Sequence, residues 1–419
     1  MSNYFHYQQD KLYAEGVSLS DIARQYGTPC YVYSRAALTE AYQQFSTALQ
    51  GREHLICYAV KANSNLAVLN ILAKLGSGFD VVSIGELERV IAAGGNSNRC
   101  VFSGVAKTKE SIQKALEYDI YCFNVESAAE LDLIESVAVD IKVKAPISIR
   151  VNPNVDAKTH PYISTGLTEN KFGVGTDVAL SLYKKANFSK HLNVCGLDYH
   201  IGSQITDILP FMEALDRALE LIDELKAENI YLSHIDIGGG IGVTYSSEKT
   251  IDIEKYIQSV VRKVGNLQVI VEPGRSIVGN AGIFVTKVEY LKQNDLKSFA
   301  IIDGAMNDLL RPALYGSYHQ AVKVIDNAEG INASWDLVGP VCETADFLAK
   351  DRNLDLEEGD YIAIMTAGAY GFVLSSNYNS RPRAAEVMVS GNSHAIVRKR
   401  ETIESLFVNE TIFKDEINQ

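Results

Sequence analysis

The chain has 419 residues, enough for two or three ordinary domains, and its 47% hydrophobic and 22% charged residues are typical of a globular protein. The 39 Lys and Arg against 52 Asp and Glu give a net charge of −13, which disfavours nucleic acid and anionic membranes as partners. Six scattered cysteines without a CxxC pair predict reduced thiols, and the sequence shows no signal peptide or long apolar run. We therefore expect a cytoplasmic protein with no nucleic-acid or membrane partner.

Between residues 30 and 275, short apolar runs alternate with polar or glycine breaks and helix-like amphipathic stretches. In segment 209–226, for example, Phe211, Leu215 and Leu219 recur every four residues, which predicts a helix with one apolar face. Eight runs are predicted as strands: 55–60, 79–82, 101–103, 121–125, 147–151, 196–200, 234–237 and 269–272. Eight βα units predict an α/β fold with a (β/α)8 TIM barrel over residues 30–275.

After residue 275 the pattern changes to short strand-like runs without long helices between them. The predicted strands are 282–289, 298–302, 334–338, 361–365 and 385–389. This pattern predicts a mostly-β C-terminal domain over residues 276–419, against which we expect the N-terminal segment 1–29 to pack.

Reactive side chains and glycines follow the predicted barrel strands, at the strand ends where such barrels place their active sites. Lys61 follows the first strand, Asp80 lies on the second, and His200 and Ser203 follow the sixth. The glycine-rich run 238–242 follows the seventh strand, and Glu272, Gly274 and Arg275 end the eighth. We therefore expect these groups to meet at one barrel mouth.

Each of these residues also has an ordinary structural interpretation. Lys61 alone fits a solvent-exposed lysine, but a partly desolvated lysine at a barrel mouth has a depressed pKa and offers a neutral amine to an aldehyde. The run 238–242 alone fits a tight turn, yet its place before a helix also suits a phosphate bound by backbone N–H groups, with Gly274 on the next strand. The combination favours an aldehyde cofactor that carries a phosphate.

Glu272 and His200 point to the same kind of cofactor. A buried glutamate is commonly paired with a structural cation, and a buried histidine commonly belongs to the core. Opposite Lys61 and beside a phosphate site, the Glu272 carboxylate instead suits the pyridine nitrogen of pyridoxal 5'-phosphate, while His200 could stack on the ring. A protonated pyridine ring accepts electrons, which favours reactions through a carbanion at the substrate α-carbon.

Several long motifs in order carry a family resemblance over nearly the whole chain. Residues 58–63, 200–203, 238–240 and 272–275 resemble pyridoxal-phosphate decarboxylases of the alanine-racemase fold type (PLP fold type III). In the C-terminal part, residues 303–315, 339–344, 368–371 and 377–382 resemble the diaminopimelate decarboxylase family. That resemblance implies decarboxylation of meso-2,6-diaminopimelate to L-lysine and CO2, the last step of lysine biosynthesis.

The resemblance also implies roles for single residues. Lys61 would carry the cofactor, and Cys342 would return a proton to the substrate after CO2 leaves. The implied cofactor-binding residues are Lys61, Asp80, His200, Ser203, Gly239, Gly240, Glu272, Gly274, Arg275 and Tyr370. The implied substrate-binding residues are Arg275, Arg311 and Tyr315 at the distal carboxylate, Glu343 at the distal ammonium group, and Tyr370. No metal is implied, and the Cys342 loop is expected to reach the neighbouring barrel of a homodimer with shared active sites.

The sequence leaves open three alternatives to this function. A decarboxylase of ornithine, arginine or carboxynorspermidine would share fold and cofactor, but its substrate would not need the arginine clamp that Arg311 suggests. A racemase of the same fold would need an arginine rather than Glu272 at the pyridine nitrogen. A non-catalytic regulator that kept the fold would be expected to lose Lys61 or Cys342, and both are present.

Overall fold

The computed structural model describes residues 4–156, 165, 170–327 and 329–413. The chain opens with a small antiparallel sheet of three strands, followed by one helix and one strand. These elements are β1 (Phe5–Gln8), β2 (Lys11–Ala14), β3 (Val17–Ser18), α1 (Leu19–Tyr26) and β4 (Cys30–Ser34). Their buried side chains, such as Leu12 and Ile22, share one apolar cluster with Val285 and Val387 from the C-terminal part.

Eight parallel strands then close into a barrel, which confirms the predicted fold class. They are β5 (His54–Ala59), β6 (Gly78–Val81), β7 (Cys100–Phe102), β8 (Cys122–Val125), β9 (Ala145–Arg150), β10 (Leu192–Asp198), β11 (His234–Asp236) and β12 (Gln268–Val271). The barrel closes where β12 pairs with β5.

Helices precede and follow these strands in sequence. They are α2 (Arg35–Ala48), α3 (Leu66–Lys74), α4 (Ile84–Ala92), α5 (Lys109–Glu117), α6 (Ala128–Asp140), α7 (Thr176–Phe188), α8 (Leu209–Ala227) and α9 (Ile253–Lys263). Side-chain caps set many of their starts. Ser83, for example, accepts the backbone N–H of Glu86, whose carboxylate accepts the N–H of Val82 in return. In α8, Phe211 and Leu215 are buried, as the apolar spacing predicts.

The C-terminal part forms a nine-stranded, mostly antiparallel sheet. Its elements are α10 (Arg275–Val278), β13 (Gly282–Gln293), β14 (Ser298–Ile302), α11 (Arg311–Tyr315), β15 (Ala321–Lys323), β16 (Ile331–Val338), β17 (Phe347–Leu356), β18 (Tyr361–Ile364), β19 (Ala385–Ser390) and β20 (Ser393–Arg398). The strand order is β17-β16-β14-β13-β4-β19-β20, and β18 joins β15 to β13.

β4 lies inside this sheet, although we expected residue 30 to begin the barrel segment. It pairs with β13 on one side and with β19 on the other. We therefore propose that the barrel segment runs from about α2 to α10 and that the sheet takes strands from both ends of the chain. Among the described residues, no helix combines the length and apolar character needed to cross a membrane.

Candidate active site

Lys61 lies at the carboxyl end of β5, in a short 3-10 turn over Val60–Ala62. Its Nζ is 2.5 Å from Oδ2 of Asp80 on the neighbouring strand β6. The side chain of Lys61 is 37% exposed, whereas that of Asp80 is fully buried. The amine of Lys61 therefore lies at the barrel mouth, in an ion pair with a carboxylate from inside the barrel.

The expected depression of the Lys61 pKa is wrong for the protein itself. Burial lowers the pKa of the amine, but the carboxylates of Asp80 and Glu272 outweigh burial, and the net shift is upward. The sequence pattern suggested desolvation at a strand end, whereas an acid on the adjacent strand dominates. Lys61 therefore needs a proton acceptor before its amine can act as a nucleophile, and Asp80 is the nearest one.

Glu272 follows β12 and belongs to a group of buried carboxylates inside the barrel. One carboxylate oxygen of Glu272, one of Asp198 and one of Asp236 all lie within 4.8 Å of one another. Burial, then Asp236 and Asp80, raise the pKa of Glu272 well above its usual range. Arg150 partly balances this negative charge, with Nε 3.8 Å from Asp198. The barrel interior therefore favours a positively charged group beside Glu272.

Three buried carboxylate oxygens in this region have no hydrogen-bond partner among the described residues. They are Oδ1 of Asp80, Oδ1 of Asp198 and Oδ2 of Asp236. The other oxygen of Asp236 accepts the backbone N–H of Gly238 at 2.9 Å and so fixes the start of the glycine run. Unsatisfied buried acceptors are unfavourable, which again indicates a site for a group that donates a proton or carries positive charge.

His200, beyond β10, is held against the glycine run. Its Nδ1 accepts the backbone N–H of Gly239 at 3.2 Å, so the ring hydrogen lies on Nε2. Burial, followed by the charges of Arg150 and Lys61, lowers the pKa of His200 well below its usual value. The imidazole is therefore neutral, with a fixed tautomer.

The glycines of this region are needed because the backbone segments approach too closely for a side chain. A Cβ on Gly239 would lie 2.1 Å from the carbonyl oxygen of Glu272, and one on Gly240 would lie 2.4 Å from that of Gly202. A Cβ on Gly274 would touch Ala59 and Ala62 at 3.0 Å. The loops that follow β10, β11 and β12 are thus packed backbone against backbone, as a cradle for a small anion requires.

Arg275 lies beside this cradle with its guanidinium buried. Nη2 donates to Ser203 Oγ at 3.0 Å, and Nη1 donates to the Tyr245 hydroxyl at 2.6 Å. The guanidinium also lies 4.9 Å from the ring centre of Tyr370, whose backbone N–H donates to the carbonyl of Ala62 next to Lys61. The β domain thus reaches the barrel mouth through Tyr370.

Arg311, the first residue of α11, also contacts Tyr245. Its guanidinium is 4.6 Å from the ring centre of Tyr245, and Nη1 is 2.9 Å from Nε2 of His319. Burial lowers the pKa of Arg311, which stays a cation because its usual value is so high. Within the described part of the chain, no carboxylate lies at ion-pair distance from Arg311 or Arg275. The two buried guanidinium groups can therefore bind anionic groups of a ligand. Tyr315 is half-buried at the other end of α11.

In the described part of the chain, Cys342 and Glu343 have no hydrogen bond or ion pair with the residues of this mouth. Both are exposed on a loop of the β domain. The backbone N–H of Cys342 donates to Asn379, and Glu343 accepts a hydrogen bond from Tyr378 at 2.5 Å. Cys342 is also the one exposed cysteine, since the other five are buried or half-buried.

Several residues that organise the site could not be recognised from the sequence. Tyr245 and His319 contact the two arginines, and Asp346 accepts the backbone N–H groups of Met306 and Val341 at 2.6 Å, which ties two loops together. Buried aromatic and polar residues in loops carry no periodic signal, so spacing alone could not find them. The one available sequence signal for such a residue was a polar side chain at the end of an apolar strand, as for Asp236 at the end of β11.

Comparison with known proteins agrees with this architecture. Residues 35–279 match the family model described as pyridoxal-dependent decarboxylase, pyridoxal binding domain. Fold and matched segment together define a pyridoxal-dependent decarboxylase with a barrel and a C-terminal sheet.

The chain is 54% identical to the diaminopimelate decarboxylase of Vibrio cholerae, covering 99% of this chain and 100% of the relative. It is 54% identical to that of Pseudomonas aeruginosa, covering 97% and 99%. The structure of the Helicobacter pylori diaminopimelate decarboxylase complexed with L-lysine is similar, with a TM-score of 0.91, 45% identity and coverage of 94% and 99%. The chain belongs to the diaminopimelate decarboxylase family.

Proposed function

We propose that this enzyme decarboxylates meso-2,6-diaminopimelate to L-lysine and CO2 with pyridoxal 5'-phosphate as its cofactor. The observation that carries the proposal is the pair of buried guanidinium groups, Arg275 and Arg311, which both contact Tyr245 and have no carboxylate partner among the described residues. Arg275, beside the glycines, suits the cofactor phosphate, and both arginines suit a substrate carboxylate that is not lost in the reaction.

The residues at the barrel mouth fit this cofactor. The close-packed glycines 239, 240 and 274, with Ser203 and Arg275, offer a cradle for its phosphate. The unpartnered carboxylate oxygens around Glu272 suit a protonated pyridine nitrogen. Lys61 supplies the amine for its aldehyde, and the neutral ring of His200 suits the face of the pyridine. Asp80 and Tyr370 complete the set.

The chain's own groups then have distinct tasks. Bound pyridoxal phosphate supplies an electron sink for the electron pair that CO2 leaves at the substrate α-carbon. Asp80 accepts the proton of Lys61, which frees the amine to carry the cofactor. Glu272, whose pKa is raised, would face the pyridine nitrogen, supply it with a proton and remain beside it as a counter-ion. The Cys342 thiol gives a proton to the α-carbon.

Substrate choice depends on the distal end of the substrate. Arg311 and Tyr315, with Arg275, bind the distal carboxylate, and Glu343 binds the distal ammonium group. Ornithine, arginine and carboxynorspermidine lack a distal carboxylate, so a buried Arg311 would repel their cationic ends. The alternative decarboxylases are therefore disfavoured by the same cation that supports the proposal.

A homodimer with shared sites explains where Cys342 and Glu343 act. Both lie on an exposed loop, where the Cys342 backbone N–H donates to Asn379 and the Glu343 carboxylate accepts from Tyr378, two residues of their own β domain. We infer that this loop enters the barrel mouth of a second copy and that the enzyme works in the cytoplasm.

The direct test is CO2 release by the cofactor-loaded protein with meso-diaminopimelate, L-ornithine and L-arginine in parallel. Release from diaminopimelate alone, with lysine as product, supports the proposal. Release from ornithine or arginine would overturn the substrate assignment but leave Lys61 and the cofactor in place. No release from any substrate, in a protein that does not bind the cofactor, would favour a regulator instead.

A further inference from the structure

Arg311 is held by three residues outside the proposed cofactor and substrate sets: His319, Tyr245 and Ser317, whose Oγ accepts from Nη2 at 3.2 Å. His319 and Tyr245 are both buried. Nδ1 of His319 is 2.9 Å from the carbonyl oxygen of Met365, an atom that only accepts hydrogen bonds, so Nδ1 carries the ring hydrogen. Nε2 is therefore the free acceptor for Arg311 Nη1 at 2.9 Å.

The charge state of His319 suits this task. Burial and the neighbouring Arg311 lower the pKa of His319 to about 3, so the ring stays neutral and keeps its acceptor at every working pH. A carboxylate at this place would also hold the guanidinium, but it would neutralise it. A neutral acceptor fixes the direction of Arg311 and leaves its positive charge for a ligand.

Tyr245 contacts Arg311 with its ring and Arg275 with its hydroxyl. The tyrosine itself is held by Glu248, whose carboxylate accepts the backbone N–H groups of Tyr245 and Ser246. One aromatic residue thus stabilises one cation through the face of its ring and the other through its hydroxyl oxygen.

We propose that His319 and Tyr245 are positioning residues that hold Arg311 as an uncompensated cation and thereby set the preference for ligands with a distal carboxylate. This inference rests on the proposed function, because it takes Arg311 as the carboxylate-binding residue. It goes beyond that function by naming what makes an arginine selective here.

The test compares two ligands that differ in one carboxylate, L-lysine and cadaverine, by titration of the cofactor-loaded protein. The exchange His319→Asn keeps a donor for the Met365 carbonyl but does not reach Arg311, whereas His319→Gln keeps an acceptor for Arg311. We expect His319→Asn to weaken lysine binding about tenfold or more and to leave cadaverine unchanged, with most of the loss restored in His319→Gln. His191→Asn, at the amino end of β10 and so at the opposite end of that strand from His200, serves as the matched control.

Tyr245 is tested with the same ligands. Tyr245→Phe keeps the ring against Arg311, so the preference for lysine should persist, while Tyr245→Leu should reduce it. Equal weakening of both ligands, or unchanged lysine binding in His319→Asn, would overturn the inference. Arg311→Met tests the proposed substrate site separately from the positioning role of His319 and Tyr245. If this exchange leaves the preference for lysine intact, the proposed substrate site itself is wrong.

Discussion

The proton on Lys61 is controlled by its neighbours rather than by burial. Asp80 and Glu272 hold the amine in its charged form, although a cofactor lysine must lose that proton to react. Asp80 is both the cause of the raised pKa and the nearest base, since its Oδ2 is 2.5 Å from Nζ. Capture of the cofactor should therefore depend on pH through this pair.

The exchange Asp80→Asn should move that dependence to lower pH. Removing the carboxylate lowers the pKa of Lys61, so more of the amine is neutral at a given pH, and the midpoint of cofactor uptake by cofactor-free protein should fall by about one unit or more. The measurement is the rate of uptake across pH, followed by visible absorbance. Asp140→Asn, which removes a surface partner of Lys109, is the control. An unchanged midpoint in Asp80→Asn would assign the raised pKa to Glu272.

Lys61 and Cys342 should fail in different ways when removed. Lys61→Ala should abolish both turnover and the absorbance of the lysine-bound cofactor, because the amine is its covalent attachment point. Cys342→Ala should keep that absorbance and lower turnover, because the thiol acts only after CO2 has left. Absorption spectra and CO2 release on the same preparations separate the two effects. Equal loss of absorbance in both would contradict this division of roles.

At this scale the sequence indicated which strand ends carry reactive groups, but not the balance of charges between them. Lys61, Asp80 and Glu272 could be placed at one mouth because parallel strands end together. The direction of the Lys61 pKa could not, because it depends on a 2.5 Å contact between neighbouring strands. The family resemblance, rather than spacing, suggested Arg311 and Cys342.

Among the elements, the loop after β11 carries the strictest packing requirement. A methyl group on Gly239 would collide with the backbone at Glu272, so the two loops would have to separate. We expect Gly239→Ala to weaken cofactor binding about tenfold or more and to destabilise the fold by about 1–3 kcal/mol. Cofactor titration and thermal unfolding measure both effects.

Gly175→Ala is the matched control for this exchange, because a Cβ there meets no atom within 4 Å. The control should bind the cofactor as the unmodified protein does. Normal cofactor binding by Gly239→Ala would show that the close approach of the two loops is not required for the phosphate site.

Among the strands, the sequence pattern predicted the buried ones and missed some at the sheet edges. The barrel strands and β14 could be predicted because continuous apolar runs mark strands that are buried on both faces. β17 and β20 were missed because both are edge strands with many charged or exposed residues, as in the run from Lys350 to Asn353. An edge strand is stabilised by hydrogen bonds to one neighbour, which leave no apolar pattern.

For the whole molecule, the exposed Cys342 loop predicts that two chains build each site. Mixing equal amounts of Lys61→Ala and Cys342→Ala chains should give mixed dimers in which one site of two has both residues. Activity should then recover to about one quarter of that of the unmodified protein. The measurement is CO2 release after dissociation and reassembly, with each variant alone as the baseline. Activity no higher than that baseline would place both residues of a site in the same chain.

The position of β4 also has a consequence for the making of the protein. β4 is fully buried and pairs with β13 and β19, which are synthesised some 250 and 350 residues later. During translation the barrel segment can close before β13 and β19 have been made. The apolar strand β4 then remains unpaired for on the order of tens of seconds. During synthesis a closed barrel can therefore lie beside an incomplete sheet. Unpaired β4 is then the segment through which newly made chains are most exposed to aggregation and to chaperone binding.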